Sequence, residues 1–132
     1  MDPKELQEIP FFAGLGKREL EQVGQWTDRV DVQEGTVLGR QGSVAYEFFV
    51  ILDGSAAVHV DGERVADLGP GDFFGEIGLL EAERRTATVT AATAMQLVVV
   101  FGREFRAMDR ELPQVAAQVR EAIAERLARM PG

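Results

Sequence analysis

Between Asp28 and Phe101 the chain is punctuated by Glu34-Gly35, Gln41-Gly42, Asp53-Gly54, Asp61-Gly62 and Pro70-Gly71, with successive glycines 7 to 12 residues apart. Turn signals at that spacing leave room for strands but not for crossover helices, which parallel neighbours require. The block is made of short runs rich in Val, Phe, Ile and Thr, and segments such as EFFVILDG, AAVHVDG and ERVADLG are each too short for βαβ units. An antiparallel sandwich or jelly-roll barrel follows.

The flanks read differently. In the opening segment, residues 1–27, Leu6, Ile9, Leu20, Val23 and Trp26 are spaced for helical packing, and KRELEQVGQWT predicts a helix over Lys17–Thr27 with a weak point at Gly24. After the strand block at 28–101, residues 102–130 read as helical. Leu112, Val115, Val119, Ile123, Leu127 and Met130 form one amphipathic stripe, and Pro113 is placed where a first turn tolerates it. At 132 residues the whole, 1–132, is expected to be a single domain.

Composition removes several function classes. With no cysteine there is no disulfide, thiolate nucleophile or cysteine-ligated cluster, and a single histidine, His59, is too few for a cupin-type metal centre. His59 alternates with Val58 and Val60 and is expected to face outward from a strand. A formal charge of −8 repels phosphate backbones, so DNA is not an expected partner. No apolar run has membrane-spanning length and no signal peptide is read in MDPKELQEIP, so no membrane partner and a cytoplasmic address are expected.

One segment breaks the strand rhythm: FFGEIGLLEAERRTATV, residues 73–89. A short helix starting near Gly75 after the GPGD turn would aim its free N–H groups outward, as anion sites do, and glycine lets a ligand approach the backbone. GEIGLLEAERRTATV resembles the phosphate-binding cassette of the cyclic nucleotide-binding domain family, here residues 74–89. EFFVILDGSAAV, LGPGDFFGE, PFFAGL and the helical tail fall in the family's order, so the likeness covers nearly the whole chain.

The resemblance implies a mainly β fold, an eight-stranded antiparallel jelly-roll β-roll (a double-stranded β-helix) with N-terminal helices and a long C-terminal helix. It implies a cyclic nucleotide as ligand, cAMP ahead of cGMP, in a sensor or regulatory domain that is not an enzyme and needs no cofactor or metal. Arg85, nine residues after Glu76, would hold the cyclic phosphate through a bidentate pair, and Glu76 the ribose 2′-hydroxyl. Backbone N–H groups of Gly75, Glu76, Ile77 and Gly78, and of Thr86 and Ala87, would serve sugar and phosphate. The Thr86 hydroxyl is available to the phosphate or to a guanine amino group. Val65 and Leu68 would line the base pocket.

The tail helix would close as a lid whose movement reaches a downstream protein, or serve as a homodimer surface. The family's proline before the phosphate arginine is Arg84 here, and strand alternation lets only one of Arg84 and Arg85 turn inward. Spacing favours Arg85, with Arg84 solvated or paired to Glu81 or Glu83. The DNA-binding relatives append a helix-turn-helix after the long helix, and with the sequence ending at Gly132 none is expected here. The alternative reading is a ligand-free roll kept for protein contact. Trp26 and the pairs Phe11-Phe12, Phe48-Phe49 and Phe73-Phe74 are expected in the core.

Overall fold

The computed structural model describes residues 2–9, 12–44, 47–74, 84–118 and 120–121. The chain divides into two compact units, Asp28–Gly102 and the two terminal segments Met1–Thr27 with Arg103–Gly132.

The first unit contains β1 (Asp28–Val32), β2 (Val37–Gly39), β3 (Glu47–Asp53), β4 (Ala56–Val60), β5 (Glu63–Leu68), β6 (Phe73–Phe74), β7 (Thr88–Ala91) and β8 (Met95–Phe101). They form two four-stranded sheets of order β1-β8-β3-β6 and β2-β7-β4-β5, with every pairing among the described residues antiparallel. This is the mainly β roll expected from the turn spacing.

Alternation builds the interior. Phe49 and Ile51 of β3, Met95, Leu97 and Val99 of β8, and Phe74 of β6 cluster with Ala56 of β4 and with Val89 and Ala91 of β7. The Phe49 and Phe74 rings stack with centroids 4.8 Å apart, a geometry that adds about 0.5–1.5 kcal/mol beyond their buried area. The intervening Phe48, Val50, Phe73, Val98 and Val100 are also buried. Both faces of β3 and β8 are therefore withdrawn from water, which is why these strands read as unbroken apolar runs.

Local devices set the register. At the β4–β5 hairpin both central residues have positive φ, Asp61 at 51° and Gly62 at 84°, as a two-residue turn matched to strand twist demands. Among the described residues three bulges interrupt the ladders. In β2 Val37 faces Thr90 while Gly39 faces Val89, leaving Leu38 extra. In β3 the skipped residue is Leu52, and in β5 it is Val65, between Arg64 opposite His59 and Ala66 opposite Val58. His59 is half-buried.

The second unit opens with α1 (Pro3–Gln7), capped by Asp2, whose carboxylate accepts from the Lys4 N–H at 2.9 Å. Helix α2 (Lys17–Gly24) starts with Glu19 accepting from the Gly16 N–H at 3.2 Å. It ends at Gly24 and not at Thr27, since the weakest helix former in the run stands there. Thr27, buried, then donates its hydroxyl to the Val23 carbonyl. Leu6, Ile9, Leu20 and Val23 are buried as their spacing predicted, whereas Trp26 is half-buried.

Helix α3 (Gly102–Glu111) buries Phe105 and Met108. Residues 113–118 are again helical from Pro113 onward, with Val115 and Ala116 fully buried. Arg120 donates to Asp109 at 2.7 Å and lies over the Phe105 ring, 5.1 Å from its centroid. That hydrogen bond, first, holds the Asp109 carboxyl below the ordinary carboxylate range. Phe11, Val119, Ile123, Leu127 and Met130 lie outside the described residues.

Candidate ligand-binding site

The segment entering β7 is held by the loop that follows β2. Arg84 forms an isolated antiparallel bridge with Val44. The Arg85 N–H donates to the Ser43 carbonyl at 2.8 Å, and the Arg85 carbonyl accepts from the Gly42 N–H at 2.9 Å. The loop is itself braced. Gln41 donates its backbone N–H to the Thr88 hydroxyl at 3.0 Å, while its side-chain amide both donates to the Asp61 carboxylate at 2.9 Å and accepts from the Asp61 N–H at 2.8 Å. Arg85 is thus fixed at its main chain on both sides.

From that anchored stretch the two arginines part. Arg84 is exposed and donates to the Gly42 carbonyl at 2.8 Å. Its candidate partners Glu81 and Glu83 lie outside the described residues. Arg85 is half-buried, with its guanidinium 5.9 Å from the centroid of Phe49, a ring of the roll interior. Burial lowers its pKa, and the nearby Glu47 carboxylate opposes that shift.

Among the described residues the one hydrogen bond from the Arg85 side chain is to the Glu47 carbonyl, at 3.4 Å. A guanidinium carries five donors, so among the described residues this half-buried cation uses only part of its hydrogen-bonding capacity. An anion with two oxygens in one plane would take up that capacity in a bidentate, charge-assisted pair.

The other sequence-predicted residues distribute unevenly around it. Thr86 is exposed and Ala87 half-buried, both next to Arg85 in the chain. Leu68, paired with Ala56, packs against the interior cluster that includes Phe49. Val65 is 57% exposed, as the extra residue of the β5 bulge. Gly75, Glu76, Ile77 and Gly78 lie outside the described residues. Among the described residues no group of three or more His, Cys, Asp or Glu side chains is disposed to hold a metal ion, and no helix is long and apolar enough to cross a membrane.

Sequence reasoning passed over Gly39, the Glu47 carbonyl and the bracing by Gln41. A lone glycine inside a strand run, VLGRQG, was the available signal, since such a residue marks a bulge or a close approach.

The architecture defines a class: a double-sheet antiparallel β-roll with helices at both ends of the chain. Residues 29–111 match the family described as the cyclic nucleotide-binding domain, and the chain belongs to that family. A cyclic nucleotide-gated potassium channel of Rhizobium etli is 32% identical over 118 residues, 89% of this chain and 33% of that protein. The cyclic AMP receptor protein of Thermus thermophilus is 29% identical over 123 residues, 89% of this chain and 57% of that one. A solved structure from Geobacter metallireducens superposes with a TM-score of 0.85 over 98% of both chains at 22% identity, a likeness of fold. The chain spans about a third of the length of the channel. Family membership supports a cyclic nucleotide-binding regulatory role.

Proposed function

We propose that this domain binds cAMP in preference to cGMP, without catalysis, and couples binding to movement of its C-terminal helix. The observation that carries the reading is Arg85, a half-buried guanidinium aimed at the roll interior with a single long hydrogen bond among the described residues. A cyclic phosphate would supply the paired oxygens that the described residues do not give it. Glu76 then accepts from the ribose 2′-hydroxyl, and the N–H groups of Gly75 to Gly78 and of Thr86 and Ala87 complete the anion cradle. Leu68 borders the base, with Val65 at the rim.

The preference for cAMP rests on Thr86 bonding the phosphate and not a guanine amino group, and on the likeness to a cyclic AMP receptor protein. For binding to act as a signal to a downstream protein, the nucleotide must favour one position of the C-terminal helix over another.

Calorimetric titration of nucleotide-free protein with cAMP, then cGMP, tests this. One-to-one binding with cAMP tighter is expected. Arg85→Ala should cost about 2–5 kcal/mol, roughly thirtyfold to several thousandfold in affinity. Heat from neither nucleotide with folded protein overturns the reading in favour of a ligand-free roll. Unimpaired binding by Arg85→Ala moves the phosphate to Arg84.

A further inference from the structure

Gly39 closes β2, is buried, and is not among the residues with positive φ. Its backbone therefore has no torsional need for glycine, and glycine weakens a strand relative to alanine. What the position requires is space. A Cβ there would stand 2.8 Å from Cδ, 2.9 Å from Nε and 3.1 Å from Cζ of Arg85. Gly39 directly follows the bulge at Leu38, and bulges are places where a strand re-aims what it presents.

We propose that Gly39 is a positioning residue for the ligand site: it leaves the slot through which the Arg85 side chain reaches the roll interior, and so sets the direction of the guanidinium that meets the cyclic phosphate. This rests on the reading of Arg85 given above. The atoms that would collide with a Cβ belong to a flexible side chain, so alanine displaces the arginine and leaves the strand in place. Ligand-free stability and affinity then move independently: stability holds or rises, because alanine orders a strand at lower entropic cost, while affinity falls.

A double-mutant cycle with cAMP as the probe tests the slot. Gly39→Ala is expected to weaken cAMP at least tenfold, with a ligand-free Tm no lower than that of the parent. In the Arg85→Ala background the same change is expected to alter affinity less than twofold. The Nε–H resonance of Arg85 in ligand-free protein should shift in Gly39→Ala.

Binding by Gly39→Ala equal to the parent, while Arg85→Ala binds weakly, overturns the proposal alone. A Gly39→Ala loss that persists undiminished without Arg85 overturns it too, because the effect then runs through β2. If Arg85→Ala binds normally, the phosphate assignment falls and the ligand role of Gly39 falls with it. An unmoved Nε–H resonance overturns the slot itself, with no ligand involved.

Discussion

Gly54, in the turn between β3 and β4, offers a test of the fold whose size can be worked out in parts. Its φ is +91°, and an added Cβ would press on the Ala94 carbonyl oxygen and stand 2.9 Å from Met95 Cα. Both obstacles are backbone atoms at the start of β8, so neither can rotate away. Gly35 provides the control, with φ +88° and nothing within 4 Å of a Cβ. Alanine at Gly35 should cost only the left-handed torsion, about 1–2 kcal/mol. Alanine at Gly54 adds an overpacking cost of about 1–3 kcal/mol, giving a total of roughly 2–5 kcal/mol. Urea unfolding followed by circular dichroism reads both, and equal m-values would show that the two variants differ in stability and not in the surface exposed on unfolding. If Gly54→Ala fell within about 0.5 kcal/mol of Gly35→Ala, less than the clash term can be, the steric account of this turn would be wrong.

Two further outcomes are expected. Leu97, fully buried at the centre of the interior cluster, should cost about 2–5 kcal/mol on truncation to alanine, seen as a lowered urea midpoint; a loss under 1 kcal/mol would mean that the interior is not packed as described. Asp109 has a depressed folded-state pKa through its hydrogen bond from Arg120, so its contribution is present above the ordinary aspartate range and lost as pH falls through the lowered value. The stability gap between the parent and Asp109→Asn should therefore be open at neutral pH and close in acid. A gap that widened in acid would refute the pairing.

The hairpins were legible because their chemistry is local. Asp61-Gly62 announces positive φ at two successive positions, and Gly24 and Pro113 mark where helix stops and starts by backbone chemistry alone. Sheet order was not legible: β1 beside β8 and β2 beside β7 join residues fifty or more positions apart, and nothing in either strand names its partner. Bulges escape a period count for the same reason, since one inserted residue re-aims a side chain without altering composition. Leu68 meets the interior while Val65, three positions earlier, is mostly in solvent, as an odd spacing along a strand allows. At the candidate site the spacing from Glu76 singled out Arg85, and the divergence of Arg84 and Arg85 follows strand alternation. Gly39 went unread because its meaning depends on a side chain 46 positions away, brought close only by the pairing of β2 with β7.

The bulge in β5 has a bearing on how the protein behaves in crowded solution. Among the described residues β5 is the edge of its sheet, and edge strands are where strands from other molecules can add and seed fibrils. At Val65 its ladder is broken, and the Arg64–Asp67 ion pair straddles the break on exposed side chains. A second copy laid along this edge could match the stretch before the bulge or the stretch after it, but not both in one register. A break in the ladder of an edge strand is among the devices that make such an edge a poor template for a further strand.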